Sequence, residues 1–182
     1  MTVLARQPVE PFAAVPFQPG RAHQLGPGDW MVGQGSGTVE TLLGSCICLT
    51  LWHPNTRLGA ACHIMLPEPG PHAEQDDPRY APAAVSHMLR ELRRRGANPR
   101  QCQAKLFGGG KMFHCSGPDI GQRNIDAVLD LLQQQGMAVA AQCVGRAGYR
   151  RVRFDLSSGA VEQRFDSLRS IADSFSSEPG RS

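Results

Sequence analysis

No run in this 182-residue chain approaches the roughly 20 consecutive apolar residues of a membrane-spanning helix. Its first residues lack a basic stretch followed by a long apolar core, so no secretory signal is expected. The net charge of +3 is too small to argue for a nucleic-acid surface. There is no C-x-x-C or H-x-x-x-H spacing to hold zinc, although His114 stands beside Cys115. Gly108-Gly109-Gly110-Lys111 lacks the spacing of a phosphate-binding loop, and Met112 stands where that loop needs a hydroxyl. Neither a cofactor nor a metal is therefore expected. Six cysteines (46, 48, 62, 102, 115 and 143) could form three disulfides. Without a secretory signal, reduced thiols in the cytoplasm are the better reading.

What is present suits one domain large enough to bury a proper core. Residues 1–27 hold five prolines and little periodicity, which reads as a mostly irregular N-terminal arm. A domain over 28–166 follows, then a Ser-rich tail over 167–182 with a short amphipathic piece around Leu168 and Ile171. Strands are expected near Asp29–Gly33, Thr38–Thr41, Cys46–Trp52, Leu58–Leu66, Gln101–Phe107, Met137–Val144, Tyr149–Leu156 and Ala160–Arg164. Two amphipathic helices are expected. One spans Tyr80–Arg95, with Val85, Met88, Leu89 and Leu92 on one stripe and Gly96 to end it. The other spans Ile125–Gln135, with Asn124 as its cap and Gly136 as its stop. Arginines 90, 93, 94 and 95 make the first helix's last turn basic, which complements the helix dipole. Mostly strands with two helices of substance favour an α+β domain, its sheet layers packed together and its helices outside.

The chain is organised around Thr41-Leu42-Leu43-Gly44-Ser45-Cys46 and the segment running on to His63-Ile64-Met65-Leu66-Pro67. Two apolar strands flank the turn residues Pro54 and Asn55, which makes an antiparallel hairpin. With a loop of 54–57, Cys48 faces His63 and Cys46 faces Met65. Side chains alternate, so Cys46 and His63 then share a face as diagonal neighbours, roughly 7–8 Å apart at Cβ or less. A loop two residues longer sets them directly opposite, whereas an odd loop separates them onto opposite faces. A cysteine in a buried strand is otherwise a small hydrophobe, and a histidine there is otherwise a satisfied core residue. Brought together, they are a thiol nucleophile and its base, with the Gly44-Ser45 turn leaving amide N–H groups to hold an oxyanion.

Four motifs in order resemble the CheD family of chemoreceptor glutamine deamidases. They are Thr-Leu-Leu-Gly-Ser-Cys with His-Ile-Met-Leu-Pro; the run Lys105–Phe113; Ile120-Gly-Gln-Arg-Asn-Ile125; and Arg150–Phe154 with Ser158–Val161. The likeness covers about residues 28–164. It implies a sandwich-like cysteine-hydrolase fold similar to that of certain deamidating toxins. It also implies hydrolysis of receptor glutamine side chains to glutamate, with chemoreceptors as substrate and partner. A third residue orients the imidazole in such sites, and the family implies a threonine shortly before the cysteine. Thr41 lies five positions before Cys46, while Glu40 stands six before. Val144-Gly145 departs from the paired glycines of many relatives. Gly108, Gly109 and Gly110 are candidates to line the substrate groove, because glycine lets another chain approach closely. The rival readings are another cysteine hydrolase, such as a protease or transglutaminase-like enzyme, and a non-catalytic adaptor that binds chemoreceptors or a CheC-type phosphatase.

Overall fold

The computed structural model describes residues 12–112 and 117–168. His114, Cys115 and Ile171 lie outside the described residues. Among the described residues nine strands run in chain order as β1 (Ala22–Gln24), β2 (Trp30–Gln34), β3 (Thr38–Leu43), β4 (Ile47–His53), β5 (Leu58–Ile64), β6 (Gln103–Gly108), β7 (Val139–Val144), β8 (Gly148–Asp155) and β9 (Val161–Ser167). Helix α1 (Ala81–Arg94) joins β5 to β6 through a 3₁₀ turn at Pro99–Gln101, and α2 (Ile120–Gln134) joins β6 to β7.

The strands form two sheets. One has the order β1-β3-β8-β9, the other β2-β5-β4-β6-β7. Alternation along β4 explains the layering. Ile47, Leu49 and Leu51 point to a core shared with Val85, Met88 and Leu92 of α1 and with Val128 and Leu132 of α2. Cys48 points the other way, into a cluster with Leu43 of β3 and Val152 of β8. On β5, Ala60, Cys62 and Ile64 join the helical core, while Ala61 packs with Val39 and Phe154 of the smaller sheet. Every residue of β5 is buried because both of its faces are covered, which is why the strand reads as continuous apolar sequence. The domain is thus the expected α+β sandwich, with both helices outside the larger sheet.

The central hairpin has the register set by the four-residue loop: Cys48 opposite His63 and His53 opposite Leu58. Arg57 closes that loop at φ 55°. Both helices end in the same way. Gly96 takes φ 84°, with Gly96 N–H donating to Arg93 O and Ala97 N–H to Leu92 O. Gly136 takes φ 67° with the matching bonds to Gln133 and Leu132. This is the glycine-terminated cap that the two glycines signalled.

Three local expectations are corrected. The second helix begins at Ile120, not Ile125, because Asp119 takes the cap position and its carboxylate accepts from Gln122 N–H at 3.1 Å. Asn124 therefore lies inside the helix and is fully buried. Gln101 belongs to the 3₁₀ turn rather than to β6. The N-terminal arm is not irregular throughout, since Ala22–Gln24 pairs in parallel with Thr38–Glu40.

Of the described glycines, Gly108 leaves the least room for a side chain. At φ 108° a Cβ there would sit 2.1 Å from the Cys46 carbonyl oxygen. Gly108→Ala is expected to destabilise the protein by roughly 2–3 kcal/mol, since neither the backbone angle nor its neighbour can yield cheaply. Gly70→Ala, which has open space and no positive φ, should fall within about 0.5 kcal/mol of the parent. Urea unfolding of the two variants side by side checks the contrast.

Candidate active site

Cys46 sits at the mouth of β4, half-exposed, where β3 gives way to the Gly44-Ser45 turn. Its backbone is held from three directions. Gly44 O accepts from Gly110 N–H at 2.7 Å and Cys46 O from Gly109 N–H at 2.8 Å. Ser45 O accepts from the Asn124 side-chain amide at 3.0 Å. All three carbonyls of the turn are thereby turned toward the glycine-rich loop and α2. The Cys46 side chain packs against the inter-sheet cluster of Leu43, Cys48, Phe107 and Val152.

His63 is on β5, 3 % exposed, and on the same side of the larger sheet. Its backbone is clamped as well: His63 N–H donates to Asp29 O at 2.9 Å, and Gly28 N–H donates to His63 O at 2.8 Å. The imidazole reaches across to the smaller sheet. Nδ1 lies 2.8 Å from Thr41 Oγ1 and 3.3 Å from Leu25 O. The Thr41 hydroxyl donates to Leu25 O at 2.7 Å. That bond uses the hydroxyl's only hydrogen, so Thr41 must accept from Nδ1. A carbonyl can only accept, so Leu25 makes the same demand. Nδ1 therefore carries the proton and Nε2 carries the lone pair. Among the described residues, Nε2 is buried and has no hydrogen-bond partner.

With Cys48 paired to His63, Cys46 is the diagonal neighbour two residues back, within about 7–8 Å at Cβ. Both groups are neutral at rest. Burial holds the His63 imidazole below its ordinary value, against weaker upward pulls from the Leu25 carbonyl and the Asp29 charge. Burial pushes the Cys46 thiol up. The arrangement is an uncharged thiol beside an imidazole with a free lone pair, suited to proton transfer as a bond forms rather than to a standing ion pair.

The other residues singled out in the sequence occupy distinct positions. Thr41 points inward and is buried. Glu40 points outward, where it accepts from Gln24 at 2.7 Å and faces Arg153 at 3.6 Å. Gly108 and Gly109 are enclosed: a Cβ on Gly109 would lie 2.6 Å from Ile125 Cδ1 and 2.9 Å from Gly121 O. Gly110 lines a cavity of about 180 Å³ together with Ser45, Met112, Pro118 and Ile120. A larger cavity of about 360 Å³ lies around Glu40, Leu42, Arg151 and Arg153, and neither Cys46 nor His63 lines it. No group of three or more His, Cys, Asp or Glu side chains able to hold a metal occurs among the described residues. The Leu25 carbonyl and Asn124 are parts of this site that sequence reasoning missed. Nothing local marks the first, since its partners lie 16 and 38 residues away. The second was open to the burial pattern of α2, because Asn124 is one turn beyond Gly121 on its inward face.

The tautomer has a direct readout. Nitrogen NMR of His63 at pH 7 should show a protonated Nδ1 and a bare Nε2, and the ring should titrate below the ordinary value of about 6.5. Burial penalises the charged ring, so protonation is deferred to lower pH; a midpoint above that value would contradict the geometry.

The site can be set beside known proteins. A family model for CheD chemotactic sensory transduction matches residues 65–165, starting two positions after His63. The chain is 41 % identical over 143 residues to a probable chemoreceptor glutamine deamidase CheD 2 of Albidiferax ferrireducens, covering 75 % of this chain and 83 % of that protein. It is 38 % identical over 152 residues to a probable chemoreceptor glutamine deamidase CheD of Pseudomonas savastanoi, covering 81 % and 86 %. A probable chemoreceptor glutamine deamidase CheD of Pyrococcus abyssi is 35 % identical over 149 residues, covering 79 % and 91 %. A sandwich of two sheets, a thiol and an imidazole at one end of its central hairpin, and a likeness of this extent make the chain a member of the CheD family.

Proposed function

We propose that this protein is a chemoreceptor glutamine deamidase, with Cys46 as nucleophile, His63 as base and acid, and Thr41 as the residue that orients the imidazole. The observation that carries the reading is the bare, buried Nε2 of His63, diagonal to a half-exposed cysteine in a CheD-family chain. A buried lone pair without a donor is costly unless it has work to do.

The steps follow from the neutral pair. Cys46 sulfur attacks the carboxamide carbon of a receptor glutamine as its proton passes to Nε2. The developing oxyanion is held by amide N–H groups of Gly44, Ser45 and Cys46, whose carbonyls are already committed elsewhere. The tetrahedral species collapses, the C–N bond breaks, and the proton on Nε2 leaves with ammonia. Nε2 then takes a proton from water, and the hydroxide attacks the thioester. The C–S bond breaks, the Cys46 sulfur takes the proton back from Nε2, and glutamate and the free thiol result. Throughout, Nδ1–H stays on Thr41 and Leu25, so the ring that becomes an imidazolium is one whose orientation is fixed.

The substrate segment reaches Cys46 past Met65, which is 40 % exposed beside the hairpin end, and the cavity next to Ser45. The receptor is thus both substrate and partner, and a CheC-type phosphatase would compete for the same face. The five described cysteines are all free, which suits work in the reducing cytoplasm.

Incubation with a receptor signalling fragment should raise its mass by about one dalton per modified glutamine and release ammonia, without peptide cleavage or crosslinking. Cys46→Ala should abolish this while still binding receptor. Full deamidation by that variant would remove the nucleophile, and with it the mechanism. Thr41→Val, which keeps the shape and loses the acceptor, should lower kcat about tenfold, the worth of one hydrogen bond of roughly 1.4 kcal/mol. Thr41→Ser should keep most of the rate. Initial rates of ammonia release distinguish the two.

A further inference from the structure

We infer that Asn124 is a positioning residue: its side-chain amide ties the turn before the nucleophile to the strand end after the base, and so sets the spacing of Cys46 and His63. The inference rests on the deamidase reading of the same site.

Asn124 is fully buried on α2. Its Nδ2 donates to Ser45 O at 3.0 Å and to Met65 O at 3.1 Å. Ser45 immediately precedes Cys46, and Met65 is two residues beyond His63. One NH₂ group therefore spans the open end of the β4–β5 hairpin at the end where the reacting side chains sit. The β4–β5 ladder stops at Ile47 and Ile64, and beyond it this side chain joins the two strands. Met65 is fixed from its other side too, its N–H donating to Arg79 O at 2.9 Å.

The chemistry requires an amide. Both acceptors are carbonyls, so the group facing them must present two hydrogens from one atom, which fixes which end of the amide is nitrogen. Among the described residues Oδ1 is buried without a partner, so the residue is held here by its donors alone. The helix that carries it is pressed against the glycine-rich loop that holds the nucleophile turn. A Cβ on Gly121, one turn before Asn124, would lie 2.5 Å from Gly109 O, and Gly109 N–H in turn holds Cys46 O. Helix α2 thus abuts the glycine-rich loop at Gly121 and is bonded to the Cys46 turn at Asn124. A generic buried asparagine would cap a helix or satisfy a single loop; this one joins the two segments that carry the reacting pair.

Asn124→Asp keeps the shape but puts an acceptor against two carbonyls. Asn124→Ala removes both donors. Asn124→Ser leaves one hydroxyl hydrogen and is the mildest of the three. In folded variants kcat on the receptor fragment should fall about 100-fold for Asp and Ala, as for a displacement of roughly 1 Å, with KM within about twofold of the parent. Iodoacetamide alkylation of Cys46, followed at its own peptide by mass spectrometry, should lose the pH limb set by His63. A merely structural role would lower thermal stability and leave that limb in place. Parent-like kcat and an unchanged alkylation profile in any folded variant would overturn the inference, as would a requirement so general that none of the three folds. The alkylation arm needs no receptor. If the parent protein releases no ammonia, the deamidase reading fails while the alkylation profile still decides the role of Asn124.

Discussion

The site depends on one hydrogen atom having nowhere else to go. The Thr41 hydroxyl gives its only hydrogen to Leu25 O, so the hydroxyl oxygen and that carbonyl both ask for the hydrogen on Nδ1 of His63. The other ring nitrogen is left as a lone pair in a dry setting. The smaller sheet supplies Thr41, the segment after β1 supplies Leu25, and the larger sheet supplies His63. The imidazole's tautomer is therefore a property of the packed sandwich and of neither sheet alone.

Burial moves the Cys46 thiol and the His63 imidazole in opposite directions, and both shifts favour the uncharged form. It disfavours the imidazolium and disfavours the thiolate, so the resting pair is uncharged. A standing ion pair beneath two sheets would carry a heavy desolvation cost. In the proposed mechanism the uncharged pair defers charge separation until substrate is present, when the amide groups of the turn meet the oxyanion. Cys46 is half-exposed and His63 is buried, so the sulfur is the member of the pair open to the surface.

Glycine makes the surrounding architecture possible. Gly108, Gly109, Gly110 and Gly121 let the loop after β6, the nucleophile turn and α2 meet backbone to backbone. At that distance amide N–H groups and one asparagine reach the turn's carbonyls directly. In sequence the run lacks the spacing of a phosphate loop and suits close approach of another segment or of substrate, because glycine signals close approach without saying what approaches. Here most of that closeness is used internally.

The strand and helix pattern was legible because it obeys local rules. Period-two alternation and an even four-residue turn placed Cys48 opposite His63, and glycines two positions past the last residue of each helix produced the caps they signal. Asn124 was read as a cap because asparagine favours that position, but Asp119 occupies it and tertiary contact draws Asn124 inside. The strand at Ala22–Gln24 was hidden in a proline-rich arm, since three residues show no periodicity and their pairing partner is 16 residues away. By itself the sequence determined which residues could meet along one hairpin, for that is a matter of alternation and loop length. Only the tertiary structure decided that Thr41 rather than Glu40 faces the imidazole, that the Leu25 carbonyl completes its tether, and that α2 reaches back to hold the hairpin's end. Those contacts cross from one layer to another, and no local period encodes the distance between layers.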